Sequence, residues 1–199
     1  MATGIRTPKT QNKGTSDNPT VSSNGSGEVL DLVIPMEVQI PRPQKGGGVK
    51  VVIEGNPIPK ARARQVFQNG SVHSYNSPRT QAAEEYLRAV FSQHRDKCQK
   101  FVKVWVAAKK HGREIQQRIP VRMMLWCYFI KREWIPESMV IPTLRKHGDW
   151  DNLGKLVSDS MTDVLLSDDC QVTDARVLKR WSEKEYGYIR VRMEEDKDG

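Results

Sequence analysis

Cysteine is rare in this chain of 199 residues: Cys98, Cys127 and Cys170 are widely separated, and none belongs to a CxxC pair. That excludes a disulfide framework and a structural zinc motif, and it suits a reducing, intracellular compartment rather than secretion. No apolar run approaches the roughly 18 residues that a membrane-spanning helix requires, so no membrane contact is expected. Acidic residues are in deficit, 24 against 32 Lys and Arg, and the formal charge of +8 favours a polyanionic partner without naming it. His73, His94, His111 and His147 are scattered, and no role is assigned to them.

Large apolar side chains are almost missing from Met1 to about Gly27, which is rich in Thr, Ser, Asn, Gly and Lys. Such a composition cannot offset ordering entropy by burial, so disorder is expected. Its low arginine content and acidic Asp17 speak against an organelle-targeting peptide. Val29 to Ile40 is apolar enough for a stray strand or docking segment, and PRPQKGGG at Pro41 to Gly48 reads as a linker. The expected division is a tail and linker over 1–48, one domain over 49–194 and a C-terminal tail over 195–199.

Within the body, VKVVIEG reads as a strand, followed by a long connection carrying Lys60, Arg62, Arg64 and Arg79 and no acid. Ser77 before Pro78 marks a helix start, and Ala83, Tyr86, Leu87, Val90 and Phe91 supply its apolar stripe. The helix should end near Arg95 to Lys100. Phe101 to Gln117 fits either a continued helix or an inserted basic excursion. PVRMMLWCYFIKR, from Pro120 to Arg132, is apolar on both alternating faces, as expected of a central strand buried on both sides. QVTDARVLKRW and YGYIRVRM read as two further strands joined by the polar turn SEKE. The order predicts an α+β domain, a small mixed sheet with helices packed on one face.

The densest charge lies in GDWDNLGKLVSDS, Gly148 to Ser160. An extended start puts Asp149 and Asp151 on one side, and a helix from about Asp151 stacks Asp151, Lys155 and Asp159 at i, i+4, i+8. Leu153, Leu156, Val157, Met161, Val164 and Leu165 fall on the opposite face. A cluster of hard oxygen ligands without His or Cys suits Mg²⁺ or Mn²⁺. Asp168 and Asp169 follow the helix, but about 16 helical residues span on the order of 24 Å, so a shared ion needs a bent or early-ending helix with the turn folding back. The residues also admit a plain reading: Asp151 or Asn152 as N-cap, Asp159 and Asp163 solvated, Asp168 and Asp169 making a turn, and Lys155 as an i+4 ion-pair partner of Asp151 and Asp159.

The succession DWDNLGK, Asp159 and DDCQV, with IEGNPIPKARAR and YNSPRT upstream, resembles the RusA family of Holliday junction resolvases over roughly Val49 to Met193. Trp150 and the long segment from Phe101 to Gln117 depart from the pattern. The resemblance implies catalytic positions at Asp149, Asp151, Lys155 and Asp169, with Asp149, Asp151 and Asp169 holding Mg²⁺, or Mn²⁺ as substitute. Asp159 and Asp168 match supporting acidic positions. It further implies a homodimer acting on four-way junction DNA, a cytoplasmic or nucleoid-associated setting, and phosphate contacts from Lys60, Arg62, Arg64 and Arg79. The expected activity is Mg²⁺-dependent phosphodiester hydrolysis that resolves junctions by paired nicking in recombination and repair. The rivals are a non-catalytic junction-binding protein and a Mg²⁺ nuclease on other branched or duplex DNA.

Overall fold

The computed structural model describes residues 29–45 and 47–197. The disorder expected of Met1 to Gly27 lies outside the described residues. Along the chain come β1 (Leu30–Pro35), β2 (Val38–Pro43), β3 (Val49–Glu54), β4 (Arg64–Gln68), β5 (Ser71–Tyr75), α1 (Pro78–Ser92), α2 (Gln99–Val102), β6 (Trp105–Lys110) and β7 (Arg113–Gln117). Then follow β8 (Val121–Phe129), α3 (Trp150–Met161), β9 (Val172–Trp181) and β10 (Tyr188–Glu195). The expected mixed α+β class is borne out.

The main sheet has the order β1-β10-β8-β9. β1 and β8 both run antiparallel to β10, whereas β8 and β9 are parallel and α3 lies between them in the chain. Three two-stranded ribbons, β2-β3, β4-β5 and β6-β7, complete the strands. α1 begins as read, with Pro78 in its first turn and the Ser77 hydroxyl accepting from the Thr80 N–H, and it buries Ala83, Leu87 and Phe91. α1 packs on α3, and α3 packs on β9.

β8 alternates strictly, with Val121, Met123, Leu125, Cys127 and Phe129 buried and Arg122, Met124, Trp126 and Tyr128 half-buried. This corrects the expectation of a strand buried on both sides. The second face is covered mainly by its own long side chains: Tyr128 stacks on Tyr188 at 4.2 Å, and Arg190 lies over Trp126 at 5.3 Å while donating to both oxygens of Asp31. Apolar and cationic groups cover one another there, so no second helical layer is needed.

The division at Val49 is also corrected. Leu30, Leu32, Ile34, Met36, Val38 and Ile40 are all buried in the same core as β8 and α3. β1 pairs with β10 from Leu30↔Met193 to Pro35↔Tyr188, so the sheet begins at Leu30. At the other end, β10 reaches Glu195, and the buried Asp196 accepts hydrogen bonds from Arg122 and Thr173, so the body extends past 194.

The long basic connection is partly a hairpin, β4-β5, turned by Asn69 and Gly70, both at positive φ. Phe101 to Gln117 resolves as an excursion: α2 stops at Val102, and β6-β7 form a second hairpin turned by His111 and Gly112, again both at positive φ.

Candidate active site

α3 starts where the chain is gripped from two sides. Gly148 has φ +72°, and a Cβ placed on it would sit 2.3 Å from the Pro59 Cβ, so both backbone and contact demand glycine. The Lys179 ammonium donates to the Gly148 carbonyl at 3.0 Å, and the Lys60 N–H donates to the Asn152 carbonyl at 3.0 Å. Further along, a Cβ on Gly154 would lie 3.1 Å from Val177 of β9, which sets the close approach of helix to sheet.

Asp149, rather than Asp151 or Asn152, occupies the N-cap position, and its side chain does not bond the helix's own N–H groups. Asp149, Asp151 and Lys155 are exposed, and among the described residues their side chains make no hydrogen bond or ion pair. Asp149 as N-cap places its carboxylate at the positive end of the helix dipole. The ion pairs anticipated for Lys155 with Asp151 and Asp159 are therefore not formed.

Asp159 is instead bonded by the Lys60 ammonium, which also reaches Glu84 of α1 at 2.8 Å. Burial alone would lower the Lys60 pKa, but hydrogen bonds and charge from Asp159 and Glu84 outweigh it and raise the value. Arg88 donates to the Asp159 and Thr162 carbonyls at 3.1 Å each. Lys60, expected to grip phosphate, thus ties the basic connection to α1 and α3. Arg79 is likewise engaged by Glu54, which also holds Arg42 at 3.0 Å. Arg62 is exposed and without a partner among the described residues, and the Arg64 side chain lies outside them.

α3 has 12 residues rather than about 16. Past Met161, whose carbonyl accepts from Val164, Leu165 and Leu166, the chain reverses through Asp163 at φ +64°. Asp168 and Asp169 consequently line one shallow depression with Asp159, Thr162 and Arg88. The early ending and the returning turn bring Asp168 and Asp169 back beside Asp159 in the second half of α3, but not to its start, so the arrangement that a shared ion required is only partly met. Asp149 and Asp151 do not line this depression, and among the described residues no three His, Cys, Asp or Glu side chains converge to metal-binding distance.

Asp168 is consumed locally. It caps a 3₁₀ turn, Asp169–Gln171, by accepting from the Cys170 N–H at 2.9 Å, and that bond holds its carboxyl below the usual carboxylate range. Asp169 is exposed. The sequence reading missed the group that organises this turn, Gln171. Its buried Oε1 accepts from the Ser167 N–H, the Ser167 hydroxyl and the Asp168 N–H at 2.8, 2.7 and 3.1 Å. Its Nε2 donates to the Phe101 and Ile119 carbonyls, each at 3.0 Å. One side chain joins the acidic turn to both stems of the β6-β7 excursion. The signal was its place in DDCQV, where it had no role.

The fold and site together define a class, a small α+β domain that presents acceptor-only carboxylates and a lysine on the open face of one helix. A family profile described as Endodeoxyribonuclease RusA matches residues 54–194. The chain belongs to the RusA endodeoxyribonuclease family. It is also similar to the uncharacterized protein YqaN of Bacillus subtilis (strain 168), at 25% identity over 144 residues, which cover 72% of this chain and 95% of that protein. Family membership supports an endonuclease connected with DNA recombination. Among the described residues no helix is long and apolar enough to cross a membrane.

Proposed function

We propose that this protein is a Mg²⁺-dependent endodeoxyribonuclease that resolves four-way DNA junctions by paired nicking. The observation that carries the reading is the set Asp149, Asp151 and Lys155, exposed and without partners among the described residues at the start of α3 in a chain of the RusA family. A carboxylate serving only as cap or ion-pair partner would be bonded within the protein, and Asp168 and Asp159 show what that looks like.

The donor chemistry fits a hard divalent ion, because carboxylate oxygens without competing protein donors suit Mg²⁺, or Mn²⁺ in its place. Asp149 and Asp151 would hold it at the start of α3, and Asp169, which lines a separate depression with Asp159 and Asp168, would join them only through a rearrangement of the turn or through packing of two protomers. When bound, such an ion activates water and neutralises charge on a scissile phosphate. Lys155, one turn from Asp151 on the same face, offers an uncommitted ammonium to charge developing on the phosphate or leaving oxygen. Lys60 positions rather than binds, holding Asp159 and the start of α3 in place. Arg62 and Arg64 contact phosphates and contribute affinity without base specificity. A junction has approximate two-fold symmetry, so a C2 homodimer presenting two equivalent sites matches its paired strands. The reaction belongs to recombination and repair.

The test is cleavage of a synthetic four-way junction beside matched duplex and flap DNA, with and without Mg²⁺. Paired nicks in the junction alone, dependent on Mg²⁺, are expected. Equal cutting of duplex or flap would replace junction specificity with a broader nuclease, and binding without cutting under all metal conditions would overturn the catalytic reading.

A further inference from the structure

Every residue of both strands of the β6-β7 hairpin is exposed, a property it shares with the described side chains of β4-β5. An isolated two-stranded ribbon is marginal in water, so this one lacks the covering layer that normally stabilises such an element. Its register sorts the side chains by face. Trp105↔Gln117, Ala108↔Ile115 and Lys110↔Arg113 are cross-strand pairs, and Lys109↔Glu114 is the pair between the last two. Cross-strand partners share a face and successive pairs alternate, so Lys109 and Glu114 point away from Lys110 and Arg113.

The two faces are electrostatically different. On one, Lys109 and Glu114 satisfy each other at 3.2 Å. On the other, Lys110 and Arg113 stand directly opposite at the tip, two like charges with no hydrogen bond or ion pair among the described residues. Directly opposed like charges destabilise a ribbon. An anion lying across both would turn that repulsion into attraction.

The base of the ribbon lies beside the acidic turn. Gln171 holds both stems through Phe101 and Ile119. Arg118, just beyond β7, donates to the Ser167 hydroxyl at 3.0 Å and to the Gln116 side chain at 3.0 Å. The cationic tip is therefore carried on a short arm rooted next to Asp168 and Asp169. With six residues in β6 and five in β7, the ribbon reaches roughly 20 Å, about six base pairs of duplex.

We propose that the β6-β7 hairpin is a DNA-contact arm whose Lys110 and Arg113 grip backbone phosphates of a double-stranded arm leaving the active site. The proposal rests on the endodeoxyribonuclease reading and adds a contact surface separate from the basic connection at Arg62. A second copy of the chain is the poorer occupant, since two-fold pairing of this face would set Lys110 and Arg113 against their own equivalents.

The experiment measures binding by fluorescence anisotropy over a salt series, using full-length protein, a four-way junction with arms of about 15 base pairs, and Ca²⁺ in place of Mg²⁺. Wild type is compared with the double variant Lys110→Ala/Arg113→Ala and with the charge-preserving exchange Lys110→Arg/Arg113→Lys. The alanine pair should bind at least roughly tenfold more weakly, with a log–log salt slope shallower by about 1.8 for each engaged hairpin, hence about 3.6 when both subunits of a dimer engage the junction. The charge-preserving pair should match wild type. Wild-type affinity and slope in the alanine pair, with wild type itself binding and cutting, would overturn this inference alone. A change of oligomeric state in the alanine pair, seen by sedimentation, would overturn it in favour of a subunit contact. Wild type that neither binds nor cuts any DNA would overturn the nuclease reading and this arm with it.

Discussion

Replacing Gln171 by alanine removes the side chain that couples the acidic turn to the stems of the β6-β7 excursion. Gln171 is 3% exposed, and its amide makes five hydrogen bonds, three received at Oε1 and two donated from Nε2. A net contribution of about 1 kcal/mol for each bond, with unsatisfied buried groups costing about 1–3 kcal/mol, is offset in part by water entering the space. The expected loss is about 3–5 kcal/mol, a large part of the roughly 5–15 kcal/mol that holds an ordinary domain together. Urea unfolding followed by tryptophan fluorescence measures it, with an unchanged slope showing that compactness is preserved. Gln171→Glu is the sharper companion. It keeps size and the three acceptor contacts, but it sets a carboxylate against the Phe101 and Ile119 carbonyls, so it should be destabilised comparably at neutral pH. A loss below about 1 kcal/mol in Gln171→Ala would refute the reasoning.

Deleting 1–48 should yield an unfolded or insoluble protein by circular dichroism, because it removes β1 and six buried apolar side chains whose burial contributes on the order of 10 kcal/mol. Lys155→Ala should slow the single-turnover chemical step by about 100-fold while changing stability by less than about 1 kcal/mol, since Lys155 has no ion-pair partner among the described residues to lose. Lys60→Met leaves Asp159 and Glu84 half-buried and without their lysine, and should cost about 1–3 kcal/mol in urea melts. The folded Lys60 pKa lies above its ordinary value of 10.5, so its contribution is fully present below that pH and fades as pH rises through the folded value. The gap between wild type and Lys60→Met should therefore be constant from pH 6 to 9 and narrow only under alkaline conditions.

The helices and the acidic positions were legible because local patterns carry them. The Ser77–Pro78 start of α1 and the apolar face of α3 are written at helical spacing, and the Asp and Lys spacing in DWDNLGK put its charges on one exposed face. What was illegible depends on distant partners. Lys60 looked like a phosphate ligand because the segment around it holds no acid, yet its partners Glu84 and Asp159 come from two other elements. Leu30, Leu32 and Ile34 alternate as a buried strand should, but the polar segment before them and the Gly-rich stretch after them suggested a tail. Only pairing with β10, from the far end of the chain, gives β1 its place. Met124, Trp126 and Tyr128 made β8 read as covered on both faces, although aromatic and cationic side chains are enough to close the second. The hairpin turns at Asn69–Gly70 and His111–Gly112 were present in the sequence, and Asn-Gly between β-compatible runs is a signal that went unread.

The central claim is that the exposed carboxylates at the start of α3, without partners among the described residues, serve catalysis rather than folding. The most direct measurement is single-turnover cleavage of a four-way junction in Mg²⁺ by wild type and by Asp151→Asn, each at saturating protein, with junction affinity measured on the same preparations. The account predicts that Asp151→Asn binds the junction with affinity close to wild type and does not cut it, because a metal-holding oxygen is lost while the cationic phosphate contacts stay. Asp151→Asn that cuts at the wild-type rate would contradict it.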